Sequence, residues 1–218
     1  MKNNRKMLLI GAWGALSLLT GCATNPVTGK TEMHLVPESQ EIQIGSQNYA
    51  PSRQAEGGLY MVRPEVDAYV RKVGKKVAAM SDRTSLPYEF SVLNNSEPNA
   101  WALPGGKIAI NRGLLEELGI EAELAAVIGH EIVHAAARHG AKGIERGVLL
   151  QAGVLGIGLA AQDSDYSDLI LGGAQVGAGL LTMKYSRGQE SESDHYGMKD
   201  MHKAGYEKQA TAQLRQTI

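Results

Sequence analysis

The stretch that leaves this chain least freedom is His130-Glu131-Ile132-Val133-His134. It lies in a run from Glu121 to His139 rich in alanine and glutamate, with no proline and a single glycine. That composition predicts a helix from Glu121 to about Ala141. On a helix His130 and His134 stand one turn apart on one face, where two imidazoles can hold one divalent ion. Glu131, next along, can reach a water bound to that ion, and two histidines with an adjacent glutamate suit zinc hydrolysis. The bare pattern also fits an ordinary amphipathic helix with two surface histidines. A third ligand elsewhere in the chain separates the two.

One is available downstream. The run Lys184-Tyr-Ser-Arg-Gly-Gln-Glu190-Ser-Glu-Ser-Asp194-His-Tyr-Gly197 has helical composition and puts Glu190 and Asp194 one turn apart. Alone, this acidic cluster reads as a solvated helix face. Paired with the upstream motif, Glu190 completes a set of two histidines and one glutamate around a single zinc, with a fourth position open for water. Asp194 can accept the spare N–H of a ligating imidazole and fix its orientation. His139 lies five residues past His134, rotated off the metal face, and reads as a surface group or a support behind the ligands. His34, His195 and His202, and the possible oxyanion donors Tyr185 and Arg187, stay unassigned.

The N-terminus has a different logic. Met1 to Lys6 is basic and Met7 to Leu19 apolar, too short to span a bilayer as a stable anchor. The segment ends in Leu19-Thr20-Gly21-Cys22, which resembles a bacterial lipobox. That resemblance implies a signal peptide over residues 1–21, cleavage before Cys22 and acyl chains on its thiol and amine. An ordinary cleaved signal with a leftover cysteine is the alternative. Ala23 and Thr24 follow without an aspartate, which in lipoproteins of this kind implies sorting to the outer membrane, on its periplasmic face. Cys22 is the sole cysteine, so an intramolecular disulfide and a cysteine-ligated zinc are both excluded. Each buried methylene of an acyl chain contributes about 0.8 kcal/mol to anchoring.

Residues 22–37, with Asn25-Pro26, Thr28-Gly29 and Pro37, read as an extended tether and turn. Residues 38–218 read as one domain, for which 218 residues at 43% hydrophobic content supply a core. A net charge of −1 offers no basic surface for nucleic acid. Helices are expected from Glu38 to Tyr49, from Pro64 to about Met80 and from about Arg112 to Leu118. Tyr88 to Leu93 alternates like a strand. Asn99-Ala100-Trp101-Ala102-Leu103-Pro104 and Lys107 to Ile110 flank Gly105-Gly106, a two-residue hairpin signal with proline on what should be an edge strand. Beside a peptidase helix such an edge can dock an extended substrate backbone through Asn99, Ala100, Trp101 and Ala102; a plain structural hairpin is the other reading. Val148 to Ala161 and Leu169 to Leu181 are apolar, Gly/Ala-rich and shorter than the roughly 20 residues that cross a bilayer. They read as a helical hairpin over the active site, or as a membrane-dipping or partner-binding element.

The residues His130 to His134, Tyr185 to Asp194, Asn99 to Ile108 and Asn25-Pro-Val-Thr-Gly29 together resemble the HtpX-like and CAAX-prenyl-protease-like zinc metallopeptidases, within the gluzincins. The resemblance implies an α+β, mainly helical zincin-type fold with a small antiparallel sheet or hairpin beside the motif helix. It implies one zinc per chain held by His130, His134 and Glu190, with Glu131 as the base and residues 99–104 at the substrate cleft. Relatives in its periplasmic lipoprotein branch act in envelope protein quality control, which implies unfolded or misassembled proteins as substrates. Such relatives usually continue past Ile218 with a helical extension, so this sequence reads either as a shortened version or as one without its C-terminal part. A non-proteolytic, chaperone-like zinc module is the competing class; a metal-free scaffold leaves three well-placed ligands without a purpose. Oligomeric state is not legible from these residues.

Overall fold

The computed structural model describes residues 21–156, 179–181 and 183–207. Residues 1–20, those after 207 and most of the two apolar stretches, Val148 to Ala161 and Leu169 to Leu181, lie outside these. Helix α1 (Glu38–Ala55) starts directly after Pro37 and runs past Tyr49. Helix α2 (Pro64–Ala78) opens on its proline, whose missing N–H would have had no helical partner there. Strands β3 (Glu89–Leu93), β4 (Ala100–Leu103) and β5 (Lys107–Asn111) follow, then a short α3 (Arg112–Glu117), α4 (Glu121–Ala136), α5 (His139–Gly156) and α6 (Arg187–Lys203). The labels β1 (Cys22–Thr24) and β2 (Thr31–Met33) belong to the N-terminal segment. Among the described residues no helix is long and apolar enough to cross a membrane.

The architecture is the expected α+β class, mainly helical, with one departure in its sheet. β5 lies between β3 and β4, antiparallel to β4 and parallel to β3, so the sheet is mixed. All five residues of β5 are buried, as a central strand requires. Alternation along the strands splits the apolar residues into two layers. Phe90, Val92, Ala102, Ile108 and Ile110 pack with Val70 and Val73 of α2 and Leu124, Ile128 and Ile132 of α4. Leu93, Trp101, Leu103 and Ala109 pack with Ile44 and Tyr49 of α1, Ile144 and Val148 of α5, and Leu180. The β4–β5 loop holds three residues rather than two, because Leu103 pairs with Lys107. Gly105 and Gly106 take φ of 74° and 83°, a region costly to side-chain-bearing residues.

The segment 22–37 is not an extended tether. β1 and β2 pair antiparallel, and the turn between them is built on Asn25. Its Oδ1 accepts the N–H groups of Val27 and Thr28, at 2.9 and 3.1 Å. Its Nδ2 donates to Glu32 at 2.8 Å and to the carbonyl of Ala137 at 3.1 Å. Val27 packs on Val133, Ala136 and Ala137. The Asn25-to-Gly29 motif is therefore a plug seated against the end of α4. The turn signals Asn25-Pro26 and Thr28-Gly29 were legible, but the buried partner that gives the segment a fixed place lies over one hundred residues away in sequence.

Helix α4 also ends earlier than expected. It stops at Ala136, Arg138 takes φ of 63°, and α5 begins at His139. A buried ionic cluster holds this break. Arg83 pairs both its terminal nitrogens with the fully buried Glu41 at 3.2 Å and donates to the carbonyls of Ala135 and Ala136 at 3.4 Å, satisfying acceptors that a helix end leaves orphaned. Arg138 donates to Glu41 at 3.1 Å and Glu145 at 3.3 Å, and to the Val36 carbonyl. Glu145 in turn accepts the N–H groups of Leu35 and Val36, at 3.1 and 3.0 Å. Alanine-rich composition over residues 135–141 favours a continuous helix locally; the buried charges of Glu41 and Arg83, both distant in sequence, together with Glu145 override it.

Candidate metal centre

Between Glu123 and Ala136 every residue of α4 is buried except His130. A helix enclosed on all sides needs small and apolar residues, which explains its alanines and leaves its polar side chains answerable to specific partners. Helix α6 crosses α4 with glycine meeting glycine at Gly129 and Gly197, one residue before the first histidine of the motif. Ser186 caps α6, its Oγ accepting the N–H of Gln189 at 3.3 Å, so the first turn of α6 carries Glu190.

This crossing brings the predicted ligands together. Nε2 of His130 and Nε2 of His134 lie 2.9 Å apart, with Glu190 oxygens 3.3 Å from the first and 3.9 Å from the second. One donor atom from each of the three falls within 4.8 Å of the others. Asp194 accepts the Nδ1–H of His130 at 3.0 Å, so His130 presents its Nε2 lone pair to the other two groups. Lone pairs of two imidazoles and a carboxylate converging on one point repel each other unless a cation lies among them, and this nitrogen–oxygen donor set suits zinc. The site opens on one side: the His134 side chain is 2% exposed and that of Glu190 48%.

Burial sets the protonation of the groups behind the opening. Burial, then the neighbouring His130 and His139, push His134 down to about 2, so it is neutral and free to act as a ligand. Glu131 is 8% exposed, and burial pushes its carboxyl up to about 7; His130 opposes the shift and Glu190 adds to it. A carboxyl near neutrality can both take and return a proton.

Three further groups gather behind these residues. His139 was expected off the metal face, yet the break after Ala136 turns it back against His134, Nδ1 to Nδ1 at 3.0 Å, where it is fully buried. Burial, with Lys142 adding, pushes it down to about 4, so it too is neutral. Tyr185 stacks on His134 with ring centroids 4.1 Å apart and 30° between planes. Glu192 faces His139 and pairs with Lys30 at 3.1 Å. Glu192 alone is not singled out by the sequence, its nearness to Glu190 being the one signal; Tyr185 is offered there as an unassigned oxyanion donor and His139 as a surface group or support, and the structure places both against His134.

Among the described residues β4 is an edge strand, as expected for residues 99–104, and lies against α4. Trp101 and Ala102 are buried in the two opposite layers and Ala100 is half-buried, so these side chains belong to the core. What the edge can offer a ligand is backbone.

A family model described as Peptidase family M48 matches residues 64–217. A beta-barrel assembly-enhancing protease of Escherichia coli (strain K12) is 28% identical over 193 residues, covering 86% of this chain and 39% of that protein. One of the same name from Yersinia pestis is 29% identical over 160 residues, 71% of this chain and 33% of the relative. Mitochondrial metalloendopeptidase OMA1 of Schizosaccharomyces pombe is 36% identical over 146 residues, 67% of this chain and 42% of that protein. The chain thus spans well under half the length of these relatives.

Proposed function

The chain belongs to peptidase family M48, and from that membership we propose a zinc-dependent endopeptidase of the bacterial cell envelope that acts in quality control of outer-membrane or periplasmic proteins. The observation that carries the reading is the convergence of His130, His134 and Glu190 on one point, with Glu131 buried beside it. In this reading those three residues hold one zinc per chain, and Asp194 orients His130. When bound, the ion supplies Lewis-acid polarisation of the scissile carbonyl and of the attacking water. Glu131 accepts a proton from that water as its oxygen attacks the carbonyl carbon, then returns it to the nitrogen as the C–N bond breaks. The raised carboxyl of Glu131 suits both halves of the transfer.

The free edge of β4 accepts an extended substrate by backbone pairing along Asn99, Ala100, Trp101 and Ala102, a mode that is sequence-tolerant and fits unfolded or misassembled proteins. The name of two relatives, which refers to β-barrel assembly, supports outer-membrane proteins as that substrate class. Cys22 is exposed and is the sole cysteine, which supports lipid anchorage there, on the periplasmic face of the outer membrane. The test is metal content together with cleavage of an unfolded protein, wild type against Glu131→Gln. Cleavage should fall by about 10²- to 10⁴-fold with zinc retained, because Glu131 is a base and not a ligand. A zinc-loaded wild type that cuts no better than the variant sinks the peptidase reading in favour of a chaperone-like binding module.

A further inference from the structure

His130 has a visible partner that settles which of its nitrogens carries the proton; the corresponding group for His134 is less obvious. Nδ1 of His134 lies 3.0 Å from Nδ1 of His139, so one of the two must donate and the other accept. The other nitrogen of His139, Nε2, is buried and faces Glu192 Oε2 at 3.5 Å, long for a hydrogen bond but within reach of a carboxylate charge. A carboxylate favours N–H over a lone pair. His139 therefore carries its proton on Nε2, its Nδ1 is the acceptor, and His134 donates from Nδ1. That leaves the His134 Nε2 lone pair directed at His130 and Glu190. Glu192 is itself fixed by Lys30, which sits in the turn of the N-terminal hairpin and donates to its other oxygen at 3.1 Å.

Resting on the metal-site reading above, we infer that His139 and Glu192 are positioning residues for His134, doing through an imidazole what Asp194 does directly for His130. The break in the helix after Ala136 gains a purpose from this. A continuous helix would carry His139 away from His134, while the left-handed turn at Arg138 brings it behind the second ligand. The relay ends on Lys30 of the β1–β2 hairpin, so the N-terminal plug also bears on the order of the metal site.

The test uses the full chain and zinc alone, with affinity read by competition against a chelating indicator. His139→Leu removes the acceptor and should weaken zinc binding by about ten- to a hundredfold. His139→Asn keeps an acceptor oxygen attached to Cγ, where Nδ1 stood, and should restore most of that loss. In metal-free protein, long-range ¹⁵N–¹H spectra should show His134 protonated on Nδ1 in the wild type and shifted toward Nε2 in His139→Leu. A merely structural role for His139 predicts neither the asparagine rescue nor the tautomer change. Should the leucine variant fail to fold, Glu192→Leu, at a partly exposed position, reads the same relay from its outer end and should weaken zinc binding severalfold. Wild-type affinity in whichever of these variants folds, or an asparagine variant no better than leucine, overturns the relay. A wild type that binds zinc no better than His134→Ala overturns the metal site itself, and the two failures are told apart by that comparison.

Discussion

Gly129 and Gly197 touch backbone to backbone: a methyl group on Gly129 would come within 2.7 Å of the Gly197 carbonyl oxygen, and one on Gly197 within 2.7 Å of the His130 amide nitrogen. Neither obstacle is a flexible side-chain end that could swing aside. Gly197→Ala should therefore force α4 and α6 apart, at a cost of about 1–3 kcal/mol in chemical denaturation. It should also weaken zinc binding, because Glu190 and Asp194 ride on the helix that moves. Unchanged affinity in a destabilised variant would show that the crossing serves packing alone.

Ser193, one turn before Gly197, is fully buried and its hydroxyl has no hydrogen-bond partner among the described residues. Removing an unsatisfied hydroxyl should stabilise the fold by about 1 kcal/mol. Ser193→Ala should thus raise the melting temperature with zinc affinity unaltered, which makes it the control for the glycine variant on the same helix.

Glu190 and Asp194 should separate cleanly. Glu190→Ala is expected to lose zinc, measured as metal content after dialysis. Asp194→Ala should retain it with affinity lowered by about ten- to a hundredfold. Full retention in Glu190→Ala would remove the third ligand from the proposed set.

Asp200 gives a pH dependence of stability apart from the candidate metal centre. It is 1% exposed, and burial, with Asp82 adding, pushes its carboxyl up to about 6 against the pull of Lys203 and Lys199. In the unfolded chain it titrates at roughly 3.9. Between those values the folded state holds more protons than the unfolded one, so its contribution declines as pH rises from about 4 to about 6 and is level above. Asp200→Asn removes the cost of burying the ionised group. It should stabilise the protein at pH 7 by at most about 2–3 kcal/mol, with the gain gone at about pH 4. A gain that is independent of pH in thermal melts would count against this origin.

At Arg138 charge and backbone strain can be weighed separately. Arg138→Ala leaves Glu145 without its guanidinium and Glu41 with Arg83 alone, and should destabilise by about 3–5 kcal/mol. Arg138→Gly loses the same pairing but relieves the left-handed φ, so it should recover about 1 kcal/mol relative to alanine. Urea denaturation of both variants measures the difference.

The local parts of this fold and site were legible. The four-residue spacing of His130 and His134 gave a helix face, Glu190 and Asp194 a second, the alternation over residues 88–93 a strand, and Gly105-Gly106 a hairpin with an edge strand. What could not be read were consequences of distant burial. Glu41, Arg83, Arg138 and Glu145 each look like ordinary surface charges in sequence. Only their mutual enclosure shows that α4 must stop at Ala136, and hence that His139 returns to the site. The same blindness turned Asn25 to Gly29 into a tether, because the carbonyl it caps and the alanines under Val27 belong to the other end of the domain. The parallel pairing of β3 with β5 was hidden for a related reason: adjacency in sequence suggests hairpins, while the most buried strand takes the centre.

The folded β1–β2 hairpin changes what a hold on Cys22 would mean for reach. Sixteen flexible residues would let the domain wander over roughly 20 Å from its point of attachment. With residues 22–37 folded against the end of α4, that leash has no slack. Whatever holds Cys22 would keep the opening beside Glu190 within a set distance of that point, free to pivot about it but not to drift away.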